Sequence, residues 1–130
     1  MASAPKKVII VEDEPDTAEM FAEMMRLSGY QVIKSYGSTA AMGLIVKEAP
    51  DAIVLDVMMP DVSGLEVLQF IRRDPVLANI PVIVVSAKSL PSDIRTGLDA
   101  GATMYLTKPV AFMDLRKAVE DVLKPGTKAG

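Results

Sequence analysis

Acidic residues stand directly after two short apolar segments of this sequence. Glu12 and Asp13 follow residues 8–11, and Asp56 follows residues 52–55. The chain contains no histidine and no cysteine, which excludes imidazole bases, thiolate nucleophiles and zinc sites built on those ligands. Any chemistry must therefore use carboxylates, hydroxyls, lysine or arginine, and any bound metal should be a hard cation held by oxygen.

A hydroxyl and an ammonium group stand at two further segment ends. Ser86 follows the apolar residues 82–85, and Lys108 lies just after residues 104–106. Taken singly, a serine there can be a turn hydroxyl and a lysine can be a surface residue. Together with the acids, which repel one another unless a cation lies between them, the set indicates a phosphoryl-transfer site.

Phosphoryl transfer requires an in-line nucleophile and positive charge near the equatorial oxygens. Asp56 would attack and form an acyl phosphate. Asp13 and Asp56 would hold Mg²⁺, and Glu12 would act through its water shell. Ser86 would donate a hydrogen bond to a phosphoryl oxygen, and Lys108 would supply fixed positive charge.

The elements that must position these residues follow from apolar spacing. Continuous apolar, β-branched segments predict strands that are buried on both faces. Strands alternating with helices predict a doubly wound α/β fold, in which helices cover both faces of a five-stranded parallel sheet and the carboxyl ends of the strands face the ligand. The predicted strands are 8–11, 30–34, 52–55, 82–85 and 104–106.

Apolar residues at three- and four-residue spacing predict five helices. We expect Gly29 to follow the first, Ser38 to cap the start of the second, Pro50 to follow it and Pro125-Gly126 to follow the fifth. The apolar stripes are Ala18, Phe21, Ala22 and Met25; Ala41, Leu44 and Ile45; Leu65, Leu68 and Ile71, ending near Asp74-Pro75; Ile94 and Leu98, within 92–100; and Leu115, Ala118, Val119 and Val122.

Composition limits the class of protein. The 130 residues suit one domain, and a formal net charge of -3 argues against direct binding of nucleic acid or anionic membranes. Apolar segments are far shorter than the roughly 20 residues that span a bilayer as a helix. The chain's start shows no signal peptide, so we expect a soluble cytoplasmic protein.

Four motifs lie at the predicted strand ends: Val11-Glu12-Asp13-Glu14, Asp56-Val57-Met58-Met59-Pro60 with Gly64, Val84-Val85-Ser86-Ala87 and Lys108-Pro109. In order and placement they resemble the response-regulator receiver domains of two-component signalling, of the chemotaxis-regulator kind, from about Lys7 to Lys124. The resemblance implies one receiver domain over residues 1–130, with a core at 7–124, short polar tails and a flavodoxin-like strand order 2-1-3-4-5. It also implies a cis peptide bond before Pro109.

The resemblance further implies how the site works. Asp56 would be the phosphoacceptor, and Mg²⁺ would be bound by the side chains of Asp13 and Asp56 and the backbone carbonyl of Met58, with Glu12 in contact through water. Ser86 would rotate toward the phosphoryl group, and Tyr105 would change its exposure in step.

The partners that the resemblance implies are proteins. A sensor histidine kinase or phosphotransfer protein would be the phosphodonor, docking on the first helix, where Met20, Met24 and Met25 lie, and on the loop after the last strand. The resemblance also allows a homodimer through the fourth helix, fifth strand and fifth helix. The domain would promote only its own phosphorylation and dephosphorylation, and its downstream target stays open.

Two other classes compete with this interpretation. An aspartyl phosphohydrolase needs a second acid two residues after the nucleophile, where this chain has Met58, and a nucleotide hydrolase needs a glycine-rich loop with lysine. An interaction module with the same fold would keep the acids in a structural role only. Whether the sequence is a complete regulator or part of a longer one also stays open.

Overall fold

The computed structural model describes residues 5–58 and 63–124 as five strands alternating with five helices. Two parts of the sequence predictions lie outside the described residues. They are Met59 and Pro60 of the acceptor motif, and Pro125-Gly126, which were expected to follow the fifth helix. In chain order the elements are β1 (Lys7–Val11), α1 (Pro15–Leu27), β2 (Gln31–Ser35), α2 (Ser38–Glu48), β3 (Ala52–Leu55), α3 (Gly64–Arg73), β4 (Val82–Ser86), α4 (Pro91–Asp99), β5 (Met104–Thr107) and α5 (Phe112–Val122).

The strands form one parallel sheet in the order β2-β1-β3-β4-β5, which confirms the doubly wound, flavodoxin-like prediction. Val11 at the end of β1 pairs with Leu55 at the end of β3. The residues that follow these strands therefore lie side by side at the same edge. The order reverses between β1 and β3, where doubly wound sheets bind their ligands.

Two apolar layers cover the sheet. Ile9, Ile53 and Val84 belong to the cluster shared with α2 and α3. Val8 and Val54 belong to the cluster shared with α1 and α5. Successive strand residues point to opposite faces, and because both faces are covered the strands are continuously apolar.

Two details of the helix predictions differ from the structure. Ser38 is the first residue of α2 rather than its cap, which is Gly37. Leu98 is 41% exposed, so the stripe predicted for α4 does not face the core. The cap of α1 is Glu14, whose side chain accepts from the Asp16 backbone N–H. Short polar residues near a helix start compete for the same orphan N–H groups, and spacing alone does not select among them.

Arg72 connects α3 to two loops. Its guanidinium donates to the carbonyl oxygens of Gly101 (2.9 Å), Ala78 (3.1 Å) and Ile80 (2.7 Å). Burial lowers the pKa of this guanidinium below its ordinary value, and it has no carboxylate partner within the described part of the chain. The backbone carbonyls therefore compensate for its desolvation.

We predict that Arg72→Met lowers the free energy of unfolding by about 2 kcal/mol, because charge-assisted hydrogen bonds are lost and three carbonyls are left half-buried without their donor. Urea denaturation at neutral pH measures it. Arg95→Met, in an exposed arginine of α4, is the control. Equal effects of the two substitutions would contradict this role of Arg72.

Candidate phosphoryl-transfer site

The ammonium group of Lys108 lies between two buried carboxylates. Its Nζ is 2.7 Å from Oε1 of Glu12 and 3.3 Å from Oδ2 of Asp56. The Glu12 and Asp56 side chains are 3% and 7% exposed, whereas that of Lys108 is 25% exposed. The ends of β1, β3 and β5 are therefore joined by one cation that still reaches solvent.

Backbone hydrogen bonds fix where Asp56 and Lys108 leave the sheet. The Asp56 N–H donates to the Val11 carbonyl at 2.9 Å, which carries the β1–β3 pairing one residue past the strand. The Lys108 N–H donates to the Ser86 carbonyl at 2.9 Å and does the same for β4 and β5. The side chains thus start from a rigid sheet edge.

The second oxygen of each carboxylate is bound locally. Oε2 of Glu12 accepts from the Glu14 N–H at 3.2 Å, and Oδ1 of Asp56 accepts from the Met58 N–H at 2.9 Å. These contacts orient both carboxylates, because all four oxygens have a donor. Asp56 keeps its Oδ2 edge toward Lys108.

Burial raises the pKa of the Glu12 carboxyl above its ordinary value of 4.5, and the nearby Asp56 contributes to the increase, although the Lys108 hydrogen bond opposes it. For Lys108, burial is the largest single influence and lowers the pKa. The hydrogen bonds and charges of Glu12 and Asp56 together outweigh it, so its pKa is raised above 10.5. Lysine is thus held firmly protonated beside an excess of carboxylate charge.

The remaining predicted metal ligands are Asp13 and Met58, and the Met58 backbone N–H contacts Asp56. Asp13 is exposed, next to buried Glu12, and within residues 5–58 and 63–124 no three acidic side chains are close enough together to hold a metal ion. Lys108 instead occupies the space between Glu12 and Asp56. The donors that sequence reasoning named are nevertheless all oxygens, which fits Mg²⁺ by chemical type.

Ser86 and Tyr105 are connected through the backbone of one residue, Lys88. The Ser86 hydroxyl, fully buried at the end of β4, accepts from the Lys88 N–H at 3.1 Å. The Tyr105 hydroxyl donates to the Lys88 carbonyl at 2.8 Å. The two predicted switch residues therefore meet on opposite sides of the same residue.

Two glycines complete the site by lacking a side chain. A Cβ on Gly64, the first residue of α3, would collide with the Val57 backbone and lie 2.5 Å from the Asp56 carbonyl oxygen. A Cβ on Gly97 in α4 would lie 2.7 Å from the Tyr105 ring. Both residues allow a close approach that any other side chain would prevent.

Comparison with protein families decides the identity of this arrangement. Residues 8–120 match the model of the response regulator receiver domain. This chain belongs to that family. The matched range contains every site residue described above, and the receiver domain is the phosphorylatable switch of two-component response regulators.

Named relatives are similar over nearly all of this receiver domain. The polar-differentiation response regulator DivK of Brucella anthropi is 36% identical, over 92% of this chain and 97% of that protein. The phosphate regulon transcriptional regulatory protein PhoB of Pseudomonas aeruginosa is 34% identical over 92% of this chain. The chain spans 52% of PhoB, about half of its length.

Solved structures agree with the fold. The chemotaxis protein CheY4 of Vibrio cholerae superposes with a TM-score of 0.87 at 28% identity, covering 92% of this chain and all (100%) of that one. The Francisella response regulator 1452 receiver domain gives 0.86 at 29% identity, covering 91% and 96%. In the described residues, no helix of this receiver domain is long and apolar enough to cross a membrane.

Sequence reasoning missed three residues that shape the site. Gly97 could have been found from the sequence, because a glycine inside a helix lowers helix stability by about 1 kcal/mol relative to alanine. A glycine in that position therefore suggests close packing against a neighbour. The backbone role of Lys88 had no such signal, because any residue offers an N–H and a carbonyl. Glu14 was named only as an acidic loop residue, while its N–H and side chain link Glu12 to the start of α1.

We predict that Lys108→Met lowers the free energy of unfolding by about 1–3 kcal/mol at neutral pH, because Glu12 and Asp56 lose their shared buried donor. Since the folded-state pKa of Glu12 is raised, ionising it costs stability as pH rises from 4.5 through the folded value. The loss should therefore be larger at about pH 7.5 than at about pH 5. The stability that protonated Lys108 contributes is fully present below pH 10.5, because its folded-state pKa is raised. Its own titration therefore does not affect the comparison between these two pH values.

Urea denaturation at the two pH values without divalent cations provides the measurement. Lys117→Met is the matched control, because Lys117 is exposed and, among the described residues, pairs only with Asp121 of its own helix. A pH-independent loss in Lys108→Met would show that the two carboxylates do not depend on this ammonium.

Proposed function

We propose that Asp56 accepts a phosphoryl group from the phosphohistidine of a partner in a magnesium-dependent reaction, and that the domain changes its interaction surface in response. The observation that carries the proposal is the Asp56 carboxylate, which is almost buried at the end of β3 and lies 3.3 Å from the Lys108 ammonium. A carboxylate in this position suits the nucleophile of a phosphoryl transfer, because the fixed cation beside it can stabilise the negative charge on the phosphoryl oxygens in the transition state.

In this reaction an Asp56 oxygen forms the new bond to phosphorus while the bond from phosphorus to the donor imidazole nitrogen breaks. Bound Mg²⁺ supplies positive charge to the phosphoryl oxygens. It would be held by the side chains of Asp13 and Asp56 and the backbone carbonyl of Met58, with Glu12 acting through water. The solvent exposure of Asp13 supports this role, because the cation must enter from solvent.

Lys108 and Ser86 would recognise the phosphorylated state. The ammonium is already placed beside Asp56, so it can pair with a phosphoryl oxygen without leaving the site. The Ser86 hydroxyl can donate to another oxygen if it gives up the Lys88 N–H. Because the Lys88 carbonyl accepts a hydrogen bond from the Tyr105 hydroxyl, movement of the Lys88 backbone would change the exposure of Tyr105.

A surface suited to a partner protein lies beside Lys108. A cleft of about 400 Å³ is lined by Thr17 and Met20 of α1 and by Lys108 and Pro109, and its place beside Asp56 fits a phosphodonor protein. Met20 is 46% exposed, whereas Met25 is fully buried, so Met25 serves the core. The cis Lys108-Pro109 bond that the family resemblance implied is present.

The remaining parts of the proposal concern the domain as a whole. We propose a single receiver domain over 1–130, located in the cytoplasm, acting on no substrate besides its own phosphoryl group. A homodimer through α4, β5 and α5 would use exposed Leu90 and Met113. Direct binding of nucleic acid is not expected for a chain with a net charge of -3.

We predict that acetyl phosphate with Mg²⁺ adds the mass of one phosphoryl group to the wild-type protein. The gain should be absent in Asp56→Asn, which removes the nucleophilic oxygen, and absent when EDTA replaces Mg²⁺. Intact-mass spectrometry measures it. Asp99→Asn, in an exposed residue of α4, should be modified like wild type. If Asp56→Asn still gains the mass, the phosphoacceptor is another residue. If neither the wild-type protein nor any variant gains the mass, the result favours an interaction module that is not phosphorylated.

We predict that Gly97→Ala displaces the Tyr105 ring and breaks its hydrogen bond to Lys88, because the new methyl group would occupy the ring's position. Tyr105 ring resonances in NMR spectra report the displacement. Gly43→Ala is the matched control, since a Cβ there meets nothing within 4 Å. That control should stabilise α2 by about 0.5–1 kcal/mol, whereas Gly97→Ala should not show this gain. Unchanged Tyr105 resonances in Gly97→Ala would refute the contact.

A further inference from the structure

Glu14 stands where the loop after β1 becomes helix α1. Its carboxylate oxygen Oε1 accepts a hydrogen bond from the Asp16 N–H at 2.8 Å, and its carbonyl accepts one from the Ala18 N–H at 2.9 Å. Pro15 follows as the first residue of the helix and has no N–H to satisfy. Glu14 is therefore held by the helix that it caps, although it is exposed to solvent.

The backbone N–H of Glu14 connects this cap to the buried acids. It donates to Oε2 of the Glu12 carboxylate at 3.2 Å, and the other oxygen of that carboxylate, Oε1, lies 2.7 Å from the Lys108 ammonium. The same ammonium is 3.3 Å from Asp56. Glu12 therefore makes the shorter contact, and the direction of its carboxylate sets where the ammonium lies relative to Asp56.

These contacts form a continuous series from the first turn of α1 to the candidate phosphoacceptor. Its members, in order, are Asp16, Glu14, Glu12, Lys108 and Asp56. Displacing a group of an active site by about 1 Å can lower the rate by about a hundredfold. A residue that fixes the Glu12 carboxylate can therefore affect the reaction through Glu12 and Lys108 without contact to a reacting atom.

We propose that Glu14 is a positioning residue for phosphoryl transfer. The cap that its side chain forms on α1 holds its N–H in place, and that N–H fixes the Glu12 carboxylate and, through it, the Lys108 ammonium. This role rests on the function proposed for Asp56. It requires the side-chain oxygen of Glu14 and not its negative charge, because an uncharged amide oxygen accepts the same hydrogen bond.

Two substitutions of Glu14 separate the oxygen from the charge. Glu14→Ala removes the acceptor, whereas Glu14→Gln keeps an accepting oxygen and removes only the charge. In the metal-free protein, the ¹³Cδ resonance of Glu12 and the ¹³Cε resonance of Lys108 should both shift in Glu14→Ala. Both should shift far less in Glu14→Gln, because the cap and the Glu14 N–H stay in place.

The rate of phosphorylation gives the functional measurement. With acetyl phosphate and saturating Mg²⁺, followed by intact mass, Glu14→Ala should accept the phosphoryl group about tenfold more slowly than the wild-type protein. Glu14→Gln should recover most of that rate. Asp93→Ala is the matched control, because the Asp93 carboxylate accepts from the Leu90 N–H at the start of α4. It removes a similar contact at another helix start and should leave the Glu12 and Lys108 resonances and the rate unchanged.

Thermal melts establish that each variant is folded. A folded Glu14→Ala protein with wild-type resonances or a wild-type rate would overturn the positioning role. Equal losses in Glu14→Ala and Glu14→Gln would also overturn it, since they would assign the effect to charge. A wild-type protein that gains no mass would instead contradict the function proposed for Asp56, and the resonances of the metal-free protein would still decide whether Glu14 fixes Glu12.

Discussion

The contact that the site depends on is the ammonium of Lys108 shared between Glu12 and Asp56. It joins residues from the ends of β1, β3 and β5, and β4 lies between the last two. Two buried carboxylates at one sheet edge would otherwise repel each other strongly. The rigid sheet fixes where each side chain starts, and the lysine makes their proximity tolerable in the protein without metal.

The site nevertheless retains more carboxylate than this one cation neutralises. Burial, and to a lesser extent the neighbouring Asp56, raise the pKa of Glu12 in spite of the Lys108 contact. Functional sites often retain such unfavourable charge, and the stability that they lose comes from packing elsewhere. Here the compensation lies in the two apolar layers, whose strand residues are buried on both faces.

A second set of contacts leads away from the acids through backbone groups. Ser86 and Tyr105 bind the N–H and the carbonyl of Lys88, and the Tyr105 ring lies where Gly97 has no side chain. A change at the acids can therefore reach the α4 surface through the backbone of one residue, Lys88.

The sequence alone was sufficient for the order of elements and for the positions of the acids, Ser86 and Lys108 at strand ends. Continuous apolar segments and helical spacing are local signals, and a parallel sheet brings strand ends to one edge whatever the side chains are. The strand order and the cis bond before Pro109 came from the family resemblance. The stripe expected in α4 was wrong because Leu98 is exposed, and two apolar residues at helical spacing do not show which face is covered.

Only the tertiary structure decided which groups touch. Lys108 meets Glu12 across 96 positions of sequence, and Arg72 meets Gly101 across 29. Such contacts depend on the relative placement of distant elements and on side-chain directions, neither of which leaves a local pattern. The same holds for the Lys88 backbone contacts, because every residue carries an N–H and a carbonyl, and only packing selects the pair that is used.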